Sequence, residues 1–168
     1  MRAISGTAGF EVATGDTGPV TAGPRERAAA VQRALDGLLQ IRRVMNAGAA
    51  EPEAVPAEWE RLQPVRAVAL VLEAAGIPPS AVGDDGRRLC TGYVVRPSEP
   101  TGALPRGRQP QTVARVEWHG PSGSRAAYEQ HTGLGRCAQA LEKLGWLALE
   151  YRGERRLHWL EVEPLTPE

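Results

Sequence analysis

The sequence predicts an α+β protein in which an N-terminal helical hairpin precedes a C-terminal sheet domain with the order β-β-α-β-β. Apolar residues recur at helical spacing as far as about residue 75, and from about residue 93 the period switches to alternation. One further helical stretch, ending at Gly145, then separates two pairs of alternating segments. The chain of 168 residues, 42% hydrophobic and 24% charged, is large enough for one globular core carrying a helical appendage.

The elements follow in order. Residues 1–23 are rich in Gly, Thr, Ala and Ser, and bury too little surface to offset their ordering entropy unless something receives Phe10 and Val12, so a flexible leader is expected. The helical hairpin is expected over residues 24–76. Pro24 suits the first position of a helix, and Val31, Leu35, Leu38, Leu39, Arg42 and Met45 follow helical spacing toward Gly48. After an acidic, Pro-rich linker at 51–56, a second helix over about 57–75 places Trp59, Leu62, Val65, Ala69 and Leu72 on one stripe, and Gly76 caps it. A short connection makes the two helices antiparallel neighbours.

The α+β domain is expected over residues 87–163. Residues 93–96 and 113–118 read as strands, with Ala114, Val116 and Trp118 opposing Arg115 and Glu117. They are joined by a Pro- and Gly-rich loop at 97–111, expected to be mobile. Ser122 or Ser124 caps a helix running to about Leu144, weakened in its middle by Gly133 and Gly135. A hairpin over 146–163 turns around residues 152–155. In its last strand Leu160 and Val162 oppose Leu157 and Trp159. The face bearing Trp159 therefore needs a cover, either the N-terminal helices or a partner protein.

Composition narrows the function classes. Twenty basic and twenty acidic residues leave no net charge, so any binding to nucleic acid must be local, and nowhere do 18 apolar residues follow one another. Cys90 and Cys137 do not form the dense even framework of a small secreted domain, so a reduced, cytoplasmic protein away from membranes is expected. Lys143 is the sole lysine among the basic residues, a bias like that of high-GC genomes.

The candidate chemistry is arginine. Arg87, Arg88, Arg96, Arg106, Arg108 and Arg115 accompany Glu99 as the lone acid between residues 86 and 115, and guanidinium forks bind phosphate bidentately. A second cluster joins Arg136 and Lys143 on the last helix to Arg152, Arg155 and Arg156 at the hairpin tip. The stretch from His131 through Gly133-Leu-Gly-Arg-Cys-Ala-Gln-Ala-Leu-Glu-Lys to Trp146, with the basic hairpin after it, resembles the turn, recognition helix and wing of winged helix-turn-helix proteins over residues 131–163. That resemblance implies a winged-helix alternative, with Arg136, Gln139, Ala140 and Lys143 facing the major groove and the three hairpin arginines on the wing. The alternating segment 114–118, the Leu-Gly-Trp at 144–146 and the terminal Leu-Glu-Val at 160–162 also resemble small uncharacterised proteins of high-GC actinobacteria and their phages or mobile elements, which implies a topology and no activity.

Other chemistry is harder to find. Cys90, His119, His131, Cys137 and His158 are zinc ligands by type but lack paired spacing, so neither a metal nor a cofactor is expected. No Gly-rich phosphate motif follows a strand, and no Cys–His pair has an orienting third group. An enzyme would need a pocket gathering His119, His131 and Cys137. The expectation is a non-enzymatic protein that binds nucleic acid through the arginine clusters. The alternative is an interaction or inhibitor protein that binds a partner through the face of Trp159.

Overall fold

The computed structural model describes residues 10–98 and 113–166. Helix α1, Pro24–Met45, begins with its proline at the first turn, where a missing N–H costs no hydrogen bond. A 3-10 turn at Pro52–Ala54 leads to α2, Glu58–Leu62, and α3, Pro64–Ala74. One helix was expected here, but Pro64 divides it. Gln63 is forced out of the helical region, to φ −127° and ψ 61°, and Leu62, expected on the buried stripe, is 74% exposed.

A small antiparallel ribbon, β1 (Ala81–Val82) with β2 (Arg88–Cys90), precedes β3 (Gly92–Pro97) and β4 (Ala114–His119). Helix α4, Ala126–Lys143, then leads to the hairpin of β5 (Trp146–Arg152) and β6 (His158–Pro164). The four long strands form one antiparallel sheet in the order β3-β4-β6-β5, so α4 carries the chain across β6 to the far edge.

The register puts Tyr93, Val95, Val116, Trp118, Leu160, Val162, Trp146 and Ala148 on one face. There they meet Val68, Val71 and Leu72 of α3 and Leu134, Cys137 and Leu141 of α4 in one core. Each such large side chain contributes about 1.5–3 kcal/mol by leaving water. Helix α1 packs on α3 through Val31, Leu38 and Leu70, forming a third layer. The hairpin thus docks on its own sheet, on the side that α4 also covers. It does not cover Trp159, which lies on the opposite face; this corrects the first of the two expected covers.

Two glycines mark close approaches. A Cβ on Gly133 would stand 2.5 Å from the Trp118 indole, so the residue that weakens α4 is the one that lets it press onto β4. Gly145 ends α4 at φ +87°, and a Cβ there would stand 2.3 Å from the Ala54 carbonyl oxygen of the linker. Helix α4 runs unbroken through Gly133 and Gly135, and Ala140 faces the core at 9% exposure. A recognition helix would need that residue in the groove, so the winged-helix alternative is excluded.

The N-terminal segment is also corrected. Within the described residues it does not behave as a free leader: Ala13 is buried, the Val95 amide donates to the Thr14 carbonyl at 2.7 Å, and the Tyr93 hydroxyl donates to the Ala13 carbonyl at 2.8 Å. With Pro78 and Ser80, which pair with Tyr93, it covers the outer edge of β3, a row of backbone groups that would otherwise invite another strand. Phe10 and Val12 find their receiver in the α1–α3 cluster, with the Arg27 guanidinium 4.7 Å from the Phe10 ring centre.

The largest departure from apolar packing is Arg42, fully buried on the inner stripe of α1. Its Nε and Nη2 donate to the two oxygens of buried Glu60 at 2.8 and 2.7 Å, and Nη1 donates to the carbonyls of Glu53 and Leu144, both at 2.8 Å. Glu60 also accepts the Ala57 amide at 2.8 Å, closing the first turn of α2. Glu60→Ala is expected to cost about 3–5 kcal/mol by stranding a buried guanidinium, whereas the double change Arg42→Met with Glu60→Leu costs markedly less. Urea midpoints of the three proteins check this, and a double variant as unstable as Glu60→Ala would contradict it.

Candidate nucleic-acid interface

The structure divides the predicted arginines into two populations. Arg88 donates to the Asp16 carboxylate at 2.6 Å and to the Gly15 carbonyl, and Arg96 lies 2.8 Å from Asp16 and 3.0 Å from Glu117. Arg115 pairs with Glu117 at 2.8 Å and stacks 4.2 Å from the centre of the Trp159 ring. These arginines pin the N-terminal segment and the open sheet face, and their charge is already answered. Arg87 is highly exposed, with Asp85 at 3.7 Å. Arg106 and Arg108 lie outside the described residues, as does most of the loop expected at 97–111.

The second population is different. Arg152, Arg155 and Arg156 are exposed at the β5–β6 tip, and among the described residues none lies within ion-pair distance of an acid. The tip is held to α4 by Gln130, itself 7% exposed. Its Nε2 donates to the Arg156 carbonyl at 3.2 Å and to the Ala127 carbonyl at 3.0 Å, while its Oε1 accepts the His158 amide at 3.0 Å. Arg155 and Arg156 both adopt left-handed backbone, with φ of 56° and 60°, a region that costs a residue with a Cβ about 1–2 kcal/mol.

The outer face of α4 continues this surface. Arg125, Tyr128, Thr132, Arg136, Gln139 and Lys143 succeed one another at three- and four-residue steps along it, with Tyr128 exposed to 81%. At 1.5 Å per residue the stripe is roughly 27 Å long. Where it meets the tip, a cleft of about 520 Å³ opens between Arg155 and Glu154 on one side and Ser122, Ser124 and the first turn of α4 on the other. Arg152, Arg155 and Arg156 therefore gather at the tip by the first turn of α4, whereas Arg136 and Lys143 line the groove between α4 and helices α1 and α3, with Lys143 close to Glu51 and Glu53 of the linker. Arg125 and Gln130, which sequence reasoning missed, extend and fix the surface at the tip. Glu129, Glu142 and Glu154 temper the charge of α4 and the tip.

The opposite sheet face has another character. Trp159 is packed between the Arg115 guanidinium and the Tyr151 ring, whose centre is 6.1 Å away in a stacked arrangement, and its Nε1 donates to Glu161 at 3.0 Å. Leu149 and Tyr151 on the same face are 50% and 46% exposed. Glu117, Glu161 and Glu163 share that face with Arg96 and Arg115, so it combines exposed apolar surface with largely paired charge.

His119, His131 and Cys137 do not come together. His119 hydrogen-bonds Glu117 at 2.6 Å on the open sheet face, and Cys137 is fully buried, its thiol pushed up to about 12 by desolvation and so unsuited to nucleophilic work. His131 and His158 instead meet at Glu150, whose pairing the sequence could not show because the three residues lie on different elements. A cavity of about 550 Å³ between α1 and residues 13–22 is mainly apolar, and Arg27 and Glu73 on its wall bind each other at 2.7 Å. Among the described residues no helix is long and apolar enough to cross a membrane. No protein-family model, curated protein or solved structure matches the chain.

Glu117 supplies a pH test of the first arginine population. Burial alone would raise its pKa, but the His119 hydrogen bond and the charges of Arg96 and Arg115 outweigh it and hold the carboxyl below the ordinary value of 4.5. The stability this contributes is complete above the unfolded value and is lost as pH falls through the lowered native one. Glu117→Gln is therefore expected to flatten the acid limb of a stability–pH curve below about pH 4.5, read from urea midpoints. An unchanged limb would show that Glu117 contributes nothing to it.

Proposed function

We propose that this chain is a non-enzymatic, intracellular protein that binds nucleic acid through the β5–β6 tip and the outer face of α4. The observation that carries this is the Gln130 clamp. It ties the backbone of the turn that carries three exposed arginines, without acidic partners among the described residues, to the N-terminal half of α4, whose outer face bears Arg125, Arg136 and Lys143 along its length. Guanidinium forks on a fixed scaffold bind phosphate with little loss of side-chain and loop entropy, and the N-terminal dipole of α4 adds to the field at the tip. Binding of this kind reads the backbone rather than the bases, so affinity depends more on salt than on sequence.

Fluorescence anisotropy of labelled duplex and single-stranded DNA, at low and near-physiological salt, tests this. Replacing Arg152, Arg155 and Arg156 together by Ala is expected to weaken binding at least about tenfold and to reduce the slope of log affinity against log salt by about 0.7–0.9 for each phosphate that the tip no longer neutralises. Arg155→Gly with Arg156→Gly weakens binding in the same sense, yet keeps or raises the melting temperature, because glycine relieves the left-handed strain. An affinity and salt slope unchanged by the triple replacement would remove the tip as the site.

A second reading, of another class, is favoured by Leu149, Tyr151 and Trp159 on the open sheet face. There the arginines are already paired with Glu117 and the exposed apolar area suits a protein partner. It predicts that Trp159→Ala abolishes capture of a host protein while the fold, by circular dichroism, and DNA binding persist. Capture equal to that of the wild type would exclude Trp159 as its anchor.

A further inference from the structure

Where the hairpin tip joins the sheet, three side chains from three elements converge. His131 on α4 places its Nδ1 3.0 Å from Oε2 and 3.1 Å from Oε1 of Glu150 on β5, and His158 on β6 places its own Nδ1 3.0 Å from the same Oε2. One ligand atom from each of the three residues lies within 4.8 Å of the others. The two imidazoles meet edge to face, 6.4 Å between centres, so both rings turn the same nitrogen toward one point.

The spacing suits a small cation. A tetrahedral zinc ion with nitrogen and oxygen ligands at about 2.0–2.2 Å holds its ligand atoms about 3.4 Å apart, a few tenths of an ångström wider than the present hydrogen bonds. Two imidazoles and a carboxylate form a borderline donor set that suits zinc and its first-row neighbours rather than magnesium or calcium. His131 is 71% exposed, so the cluster is open to solvent on one side, while Glu150 and His158 are 21% and 19% exposed and firmly placed. Among the described residues no fourth His, Cys, Asp or Glu joins the group.

We propose that His131, Glu150 and His158 form a three-ligand site for a divalent transition metal of the zinc class, with water in the remaining position. Each imidazole ligates through Nδ1 and keeps its ring proton on Nε2, and the metal takes the place of the two hydrogen bonds to Glu150. The ion links α4 to both strands of the hairpin, next to the Gln130 clamp, and so stiffens the root of the arginine-bearing tip. The site stands whether or not the tip binds nucleic acid.

The test uses chelator-treated full-length protein in a Cys90→Ser background, which removes the exposed thiol as a competing ligand. Titration with Co²⁺ is expected to give a visible ligand-field band saturating at about one equivalent, abolished by Zn²⁺. Zn²⁺ is expected to raise the melting temperature, because only the folded chain presents the site. His131→Ala, whose exposed position keeps the apo fold intact by circular dichroism, and Glu150→Gln are each expected to lower metal affinity about 100-fold and to abolish the thermal shift. Saturation and thermal shifts in these variants equal to those of the parent, or no saturable Co²⁺ binding in the parent, would overturn the proposal.

Discussion

Arg42 is the point at which the fold's separate parts become one body. Its guanidinium reaches α2 through Glu60, the linker through the Glu53 carbonyl and the C-terminus of α4 through the Leu144 carbonyl. A buried cation is tolerable only when its donors are satisfied, because leaving water costs several kcal/mol before any partner is found. That condition sets the path of the chain around it. The 3-10 turn at Pro52–Ala54 presents its carbonyl, Gly145 admits the linker against the end of α4, and Glu60 stands where both of its oxygens can be used. An apolar side chain at position 42 could fill the space, but it would place no constraint on where the linker or the end of α4 must lie.

The same logic separates the two arginine populations. Sequence proximity grouped Arg88, Arg96 and Arg115 with the loop at 97–111, yet strand alternation sends them to a face already furnished with Asp16 and Glu117. Their charge goes into holding the N-terminal segment against β3. At the hairpin tip, among the described residues, no acid lies within ion-pair distance of the arginines. A neutral protein can therefore carry a local group of unpaired arginines, because zero net charge does not fix where the acids lie.

Much of this was legible before the structure. Alternation in residues 114–118 and 159–162 separated the two faces correctly, since each face of a strand answers to a single environment, whereas Leu157, expected beside Trp159, precedes β6 and lines the cleft by the first turn of α4. Apolar spacing favoured a continuous α4, but Gly133 and Gly135 left a break there open until the structure showed none. What stayed hidden was set by contacts distant in sequence. Periodicity placed Arg42 on the inner stripe but could not name Glu60 as its partner. Composition made the residues before Pro24 look unstructured, because the edge they cover is built some eighty residues later. Trp159 was assigned to the correct face, but which face the helices choose depends on the chain crossing of α4 over β6, and no local pattern encodes that. His131, Glu150 and His158 share no short spacing, so only the fold brings them together.

The tip shows how these levels meet. Two successive residues in left-handed backbone are costly, and glycine or asparagine would ease the turn at either place. Such a conformation persists only where its surroundings over-determine it, and here they do. Gln130 holds the Arg156 carbonyl and the His158 amide, the Gly153 amide donates to the Leu157 carbonyl at 2.8 Å, and the Trp159 ring lies against Gly153, where a Cβ would stand 2.6 Å from it. Packing thus fixes the turn from below while both guanidinium side chains remain exposed. A requirement for fold alone would be met with less strain by other residues at those positions. The strain and the exposure together make the tip the part of the molecule least explained by stability.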